Sequence, residues 1–319
     1  MNDNLITVII PTYNNEDTIS RAINSVIAQT FTEWQLIIVN DCSIDNTLNI
    51  VNEYIEKYPE KIKVISNKVN QGVGVSRLNG IKKTKTKYIT FLDSDDYFRE
   101  DFLEMNYKLA QEKDYDVVYT SFGIEYEHPQ IKGEKLYQAI PSGELDMSEE
   151  ATAQLHFIQP MKFLTGKLFK TELIKRTPWS KKRIGEDVQT LFFATYLADK
   201  VRSSNYVGYI HVFRPNSLLA DAPKFLCYCH STLAEFEILD FLYKKQDWKL
   251  FDYLMQNNLN NYNIAKNAIM MGAYDEDDLL KNRKEWKYIQ NWFKTHNDYL
   301  NRIQKKYKIA HTSFKVNIF

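Results

Sequence analysis

The chain has 319 residues, with 41 Lys and Arg against 41 Asp and Glu, so its formal net charge is zero. That balance argues against a generally basic nucleic-acid binder and against an acidic solvating protein. With 44% hydrophobic and 14% aromatic residues and only ten Gly and eight Pro, the chain is neither disordered nor collagen-like, and its length allows one large or two ordinary domains.

The β-branched run Leu5 to Ile10 reads as a strand closed by Pro11. Asn15 to Ala28 reads as a helix that Asn15 can cap, with Ile19, Ile23, Val26 and Ile27 on its apolar face. Gln35 to Val39 is a second strand. Ile44 to Tyr58 is a second helix, with Ile44, Leu48, Val51 and Ile55 on one side. Ile62 to Ser66, Val73 to Lys83 and Tyr88 to Leu92 continue the alternation as strand, helix and strand, and Val117 to Ser121 adds another strand. Nearly continuous apolar strands between helices predict an α/β fold with a mostly parallel sheet covered on both faces. A polar stretch over 123–146 suggests a hairpin or excursion. Helical periodicity returns at Met147 to Phe157 and Asp187 to Leu197, Val201 to Phe213 reads as strand, and the chain is helical by pattern from about Phe225. A boundary near residue 220 follows, giving regions 1–220 and 221–319.

Ligands of such sheets bind beyond the carboxyl ends of the strands, so the segments after Ile10, Val39, Ser66 and Leu92 matter most. Asp93-Ser94-Asp95-Asp96 puts three carboxylates within four residues, a repulsion that a cation relieves. Oxygen donors suit Mg²⁺ or Mn²⁺, completed by substrate phosphates; an acidic turn capping a helix after Tyr97 is the alternative. Pro11-Thr12-Tyr13-Asn14 has no Gly, which argues against a Rossmann dinucleotide site, and its aromatic ring can hold a base or ribose. In Asn40-Asp41-Cys42-Ser43 the Asp41 carboxylate can accept from a uracil N–H or a ribose; capping of the next helix by Ser43 or Asp45 is the plainer role. In Asn70 to Arg77, Gly72 suits a close turn into a helix, and Arg77 can reach a phosphate or a base, or pair with Asp41 or another acidic loop residue. Together the four segments bring groups suited to the parts of a nucleoside diphosphate.

In the same order, Val8 to Asn14, Ile38 to Asp45, Asn70 to Arg77 and Asp93 to Asp96 resemble a family 2 glycosyltransferase of the GT-A fold, of the type that builds bacterial cell-surface polysaccharides or wall polymers. The resemblance is strong over residues 5–105, fair to about 217 and lost beyond. It implies a nucleotide sugar, UDP-linked, as donor, with Pro11, Thr12, Tyr13, Asn14, Asp41, Gly72, Arg77, Asp93 and Ser94 at the nucleotide. It implies Mn²⁺ or Mg²⁺ on Asp95 and Asp93, inversion at the anomeric carbon, and a glycan, lipid-linked or wall-polymer acceptor. An inactive sugar-nucleotide-binding module and a nucleotidyltransferase are the competing functions; the second would want a Gly-rich basic loop after the first strand. The sequence departs from the family at Cys42, where Gly is usual. A side chain there disfavours positive φ, so the turn is expected to differ.

Gly185-Glu186-Asp187 opens a helix, where acidic residues also suit the dipole. By the resemblance Asp187 is the catalytic base and Glu186 its alternative or support. The cluster Lys181-Lys182-Arg183 precedes them. Lys167, after Gly166, is expected at acceptor or phosphate. In Tyr209 to Ser217, resembling the loop that closes over the diphosphate, Arg214 and Ser217 are candidates for the leaving group and His211 for a third metal ligand or a structural histidine.

Three cysteines, Cys42, Cys227 and Cys229, build no disulfide framework and point to a reducing compartment. The polar start lacks a signal-peptide pattern, and no apolar run approaches a membrane span. A cytoplasmic protein follows, with peripheral contact at the inner membrane face as an option. Leu279, Trp286, Phe293, Leu300 and Tyr307 recur every seven residues, and residues 281–319 hold ten Lys or Arg against two acids. Such a basic helix packs on its own domain, self-associates into a homo-oligomer or lies on a membrane surface.

Overall fold

In chain order the elements are β1 (Ile6–Thr12), α1 (Ile19–Ile27), β2 (Trp34–Asn40), α2 (Thr47–Lys57), β3 (Ile62–Ser66), α3 (Val73–Lys83), β4 (Tyr88–Phe91), β5 (Tyr97–Phe98), α4 (Phe102–Gln111), β6 (Val117–Tyr126), β7 (Lys135–Tyr137), β8 (Gly143–Leu145), β9 (Lys167–Lys170), α5 (Thr171–Arg176), α6 (Glu186–Tyr196), β10 (Val201–Phe213) and α7 (Lys224–Lys245). The computed structural model describes residues 4–127, 135–137, 142–145, 163–179, 186–214, 224–252, 254, 287, 291, 294 and 295. Outside them lie the expected helix at Met147 to Phe157, the cluster Lys181-Lys182-Arg183, Ser217 and the whole of the heptad stripe.

β1 is buried along its whole length because it has a strand on each side and a helical layer on each face. It pairs in parallel with β2 and β4, and β2 pairs in parallel with β3. Past β4 the order continues β9, β6, β10, β5. β9 runs antiparallel to both β4 and β6, and β10 is parallel to β6. β7 pairs antiparallel with β6 as the expected hairpin. The sheet is therefore mixed and mostly parallel, as the sequence pattern implies.

Strand alternation sorts the two faces. Ile6, Val8 and Ile10 pack with Ile19, Ala22, Ile23 and Val26 of α1, Val51 of α2 and Phe102 and Leu103 of α4. Ile9, Ile37, Val39, Ile89 and Phe91 pack on the other face with Ile81 of α3, Leu173 and Ile174 of α5, and Leu191 and Ala194 of α6. Each such side chain contributes about 1.5–3 kcal/mol on full burial. α3 approaches β1 through Gly80, where a Cβ would stand 2.7 Å from Ile9 Cγ2.

Several boundaries move. Pro11 lies inside β1 rather than closing it: β4 pairs only as far as Ile9, so the missing N–H at Pro11 faces no partner strand. α1 begins at Ile19 rather than Asn15, and α2 at Thr47 rather than Ile44, whose side chain is 84% exposed. Both helices start late because the residues before them serve the loops described next. No helix follows Tyr97 directly; Tyr97 and Phe98 pair with β10, and α4 starts at Phe102.

The chain divides into two compact units, Met1–Ala220 and Asp221–Phe319. In the second, α7 carries Cys227, Cys229 and His230, whose side chains are outside the described residues. Buried Leu242, Leu250, Phe251 and Leu254 follow, with the rings of Tyr243, Trp248 and Phe251 in mutual contact. Among the described residues, no helix is long and apolar enough to cross a membrane.

Candidate active site

Four parallel strands, β1 to β4, open their carboxyl ends on one edge of the sheet, and hydrogen bonds join the loops that follow them. Asn15 Oδ1 accepts from Thr12 Oγ1 at 3.2 Å, the Tyr13 N–H at 3.1 Å and Ser94 Oγ at 2.8 Å, and its own N–H donates to Thr47 Oγ1 at 2.8 Å. Expected to cap α1, Asn15 instead ties the first, second and fourth loops together. The Asn14 N–H donates to Ser43 Oγ at 3.1 Å, and Asn14 Oδ1 accepts the Ile44 N–H at 2.9 Å. Pro11 and Thr12 are buried, whereas Tyr13 is exposed, its ring free of the core.

Asp41 is buried at the end of β2. It accepts from Asn67 Nδ2 at 2.7 Å, the Gln71 N–H at 3.0 Å and the Gly72 N–H at 2.7 Å. Three donors from one loop make it the anchor of the β3–α3 connection, and Gly72, at φ 89°, supplies the turn that aims its N–H there. Asn67 Nδ2 also reaches Ser76 Oγ at 3.1 Å. Cys42 adopts φ 67°. The turn thus keeps the conformation that a glycine would take, despite the side chain. A left-handed residue with a Cβ costs about 1–2 kcal/mol, so Cys42→Gly is expected to stabilise the protein by about 1 kcal/mol, read as a higher urea midpoint at unchanged slope.

Behind these loops Arg77 is 2% exposed and carries three carboxylates. Its Nη2 donates to Asp93 Oδ1 at 2.7 Å, and its Nη1 donates to Glu186 Oε1 at 3.1 Å and to Asp187 Oδ1. Of the expected pairings, the one with Asp41 is absent and the one with another acidic loop residue is present, as Asp93. Both terminal nitrogens of the guanidinium are engaged by carboxylates. Burial works against its charge, and Asp187, Asp93 and Glu186 outweigh that effect, so Arg77 stays protonated. Asp187 Oδ2 accepts the Leu164 N–H at 3.2 Å.

The two carboxylates that open α6 differ. Burial, then the neighbouring Asp187 charge, pushes Glu186 up to about 8. Asp187 is also raised by burial, against the pull of Arg77. The Asp187 side chain is 16% exposed against 8% for Glu186. Near neutral pH Glu186 is protonated, while the two Asp187 oxygens are held by Arg77 and by the Leu164 N–H. A folded-state value raised from 4.5 to about 8 means that Glu186 favours the folded state fully below pH 4.5 and loses that contribution as pH rises through 8. Chemical denaturation across pH is expected to show stability falling through this window, with a shallower fall in Glu186→Gln.

At the acidic loop, Asp95 Oδ2 accepts from Arg214 Nη2 at 2.8 Å, and the Asp95 carbonyl accepts from Arg21 Nη2. Asp96 is fully buried. It accepts from the Val212 N–H at 2.8 Å and from the Tyr209 hydroxyl, and lies 3.2 Å from His211 Nδ1. Burial pushes Asp96 up to about 6, with His211 opposing. For His211, burial is outweighed by the bond to Asp96 and the nearby acidic charges, so its value is raised. Nδ1 being spent on Asp96, only Nε2 remains for another partner.

Among the described residues, no three His, Cys, Asp or Glu side chains converge as a metal cage. A cation bound mainly through substrate phosphates needs only one or two protein carboxylates. Asp93 and Asp95 fit that demand: their side chains are 34% and 26% exposed, both give hard oxygen donors, and each has one oxygen held by an arginine. Ser94 is buried against Asn15.

Lys167 departs most from expectation. It is buried, and its ammonium donates to the Phe163 carbonyl and, at 3.3 Å, to the Thr165 carbonyl. Its ammonium is thus engaged by the backbone before its own strand and turned away from solvent. Asn67, Arg21, Leu164, Tyr209 and the structural use of Asp96 escaped the sequence reading. Asn67 alone left a signal, as the first residue beyond β3.

The glycosyl transferase family 2 model matches residues 7–173, more than half of the chain. The chain is 30% identical over 228 residues to glycosyltransferase GlyA of Streptococcus pneumoniae, covering 68% of this chain and 32% of that protein. It is 39% identical over 125 residues to the poly(ribitol-phosphate) beta-N-acetylglucosaminyltransferase TarP of Staphylococcus aureus, covering 38% of this chain and 37% of that one. The chain spans half or less of the length of these relatives. Its fold is similar to S. aureus TarS 1–349 in complex with UDP-GlcNAc, with a TM-score of 0.65 and 23% identity over 91% of this chain and 80% of that one. It is also similar to the mannosyltransferase PcManGT of Pyrobaculum calidifontis in complex with GDP-Man and Mn²⁺, with a TM-score of 0.57 and 16% identity over 84% of this chain and 74% of that one. The architecture is thus the expected GT-A arrangement, and the chain belongs to glycosyl transferase family 2.

Proposed function

We propose that this chain is an inverting glycosyltransferase that moves a sugar from a UDP-linked donor to a hydroxyl of a wall polymer or lipid-linked glycan. One observation carries the reading: Asp187, a partly open carboxyl group, is fixed by Arg77 to the same cluster as Asp93 of the acidic loop. The names of the relatives support the wall-polymer acceptor, and the UDP-GlcNAc complex of the similar TarS structure supports the donor.

In this reading Tyr13 offers its exposed ring to the base, and Asp41 holds the loop that closes the nucleoside pocket. Asp93 and Asp95 hold Mn²⁺ or Mg²⁺, which when bound neutralises charge on the departing diphosphate. Arg214, beside Asp95, is close enough to the acidic loop to meet phosphate oxygens, and His211 and Ser217 are the further candidates for the diphosphate or acceptor. Asp187 takes the proton from the acceptor hydroxyl as that oxygen attacks the anomeric carbon. Glu186 stays protonated and keeps the cluster from gathering a third negative charge. Residues 1–220 form the donor and catalytic part in this proposal, and 221–319 meet acceptor, membrane surface or a second copy. We place the protein in the cytoplasm, at the inner membrane face where the acceptor requires it.

UDP release from UDP-GlcNAc with Mn²⁺, with and without poly(ribitol phosphate), tests the proposal. Release that rises with acceptor and disappears in Asp95→Asn is expected. Tight UDP-GlcNAc binding with no release under any acceptor would point instead to a binding module.

A further inference from the structure

Lys167 is a buried amino group that the proposed mechanism leaves without a task. It lies on β9 opposite Tyr119 of β6, with its ammonium 5.2 Å from the Tyr119 ring centroid. Instead of reaching solvent, the side chain turns back onto the segment just before its own strand. The ammonium bonds the Phe163 and Thr165 carbonyls, which flank Leu164.

The Phe163 carbonyl and the Leu164 N–H belong to one peptide unit. A trans peptide points its C=O and N–H in opposite directions. The Lys167 ammonium therefore sits at one end of this unit and the Asp187 carboxylate at the other, 3.2 Å from the Leu164 nitrogen. A cation on the carbonyl polarises the amide and strengthens its N–H as a donor, because hydrogen bonds in series reinforce one another at low dielectric. The segment is also fixed at the next residue, where Thr120 Oγ1 donates to the Gly166 carbonyl at 2.7 Å.

We propose that Lys167 is a positioning residue for Asp187, acting through the Phe163–Leu164 peptide to hold the carboxylate in its orientation and in its ionised form. The inference rests on the reading of Asp187 as the base, and it adds what fixes that base on the side away from Arg77. Arg77 holds Oδ1 and Leu164 holds Oδ2, so the carboxyl plane is set from both oxygens. Burial lowers Lys167 to about 7, while the Asp187 charge favours its protonated form. Asp187 benefits in return from the Leu164 bond and the Lys167 charge. The Tyr119 hydroxyl faces away from the ammonium's task, being bonded to Thr195 of α6.

The test is a ¹³C NMR titration of aspartate-labelled full-length protein, with the Asp187 carboxyl signal assigned by its loss in Asp187→Asn. In Lys167→Met the Asp187 midpoint is expected to rise by about one pH unit, a tenfold change in proton affinity. In Thr120→Val, which loosens the same segment without touching the peptide relay, the midpoint is expected to stay in place while Tm falls. An unchanged midpoint in Lys167→Met overturns the proposal, as does an equal rise in Thr120→Val. If Lys167→Met does not fold, Lys167→Gln is read by the same criteria, since it keeps an amide donor and removes the charge. UDP release from UDP-GlcNAc separates this inference from its premise. Full turnover in Asp187→Asn overturns the base assignment, whatever the titration shows of Lys167. An inactive Asp187→Asn beside a Lys167→Met with wild-type midpoint and kcat overturns the positioning role alone.

Discussion

Replacing Arg77 by methionine is expected to lower the stability of the protein by about 3–5 kcal/mol, the range for breaking a buried ion pair from one side. The size follows from what remains. Asp93, Glu186 and Asp187 converge on one guanidinium that is 2% exposed, and methionine fills much of the volume without supplying a donor. The deficit is expected to grow with pH. Below the range where Glu186 and Asp187 ionise, the carboxyls are neutral and need no counter-ion; as pH rises, each ionisation adds an uncompensated buried charge. Urea denaturation of wild type and Arg77→Met at several pH values reads this directly. A constant difference across pH would mean that Arg77 acts by packing alone.

Asp187→Asn is expected to lower kcat by about 10²–10⁴-fold, the usual contribution of a positioned general base, with the affinity for UDP close to wild type. The amide is nearly isosteric and can still accept the Leu164 N–H through its oxygen, but it cannot take a proton from the acceptor. UDP affinity is spared because the loops proposed to hold the nucleotide are joined by bonds that do not involve Asp187. Glu186→Gln should lose far less, since Glu186 is protonated near neutral pH and the amide mimics that state. Steady-state kinetics with UDP-GlcNAc, beside calorimetric titration of UDP, separates the two effects. Glu186→Gln falling as far as Asp187→Asn would transfer the base to Glu186.

Much of the fold was legible because burial patterns alone dictate it. β3, α3 and β10 begin and end where periodicity and turn residues place them, since no other demand competes there. Where polar residues before a helix were needed by neighbouring loops, local rules misled. Asn15 satisfies three donors across loops instead of capping α1, and Ile44 stays exposed because its backbone is committed to Asn14. Cys42 shows the reverse: the turn is fixed so firmly from both sides that a residue with a side chain accepts a glycine's conformation. The candidate site was legible residue by residue, because acidic and aromatic groups at strand ends announce chemistry. Its wiring was not. That Arg77 gathers carboxylates 16, 109 and 110 positions away, and that Lys167 faces inward, depend on depth below the surface, which a sequence does not carry. The family model ends at residue 173, so the place of Glu186 and Asp187 beside Arg77 is information that only the three-dimensional arrangement adds.

Transfer with Asp187 as base on the face opposite the leaving diphosphate inverts the anomeric carbon. Proton NMR of a reaction containing the protein, UDP-α-GlcNAc, Mn²⁺ and poly(ribitol phosphate) tests it most directly. A new β-anomeric proton on the polymer, growing one for one with UDP, is expected; an α-linked product, or UDP accompanied only by free N-acetylglucosamine, would overturn this mechanism.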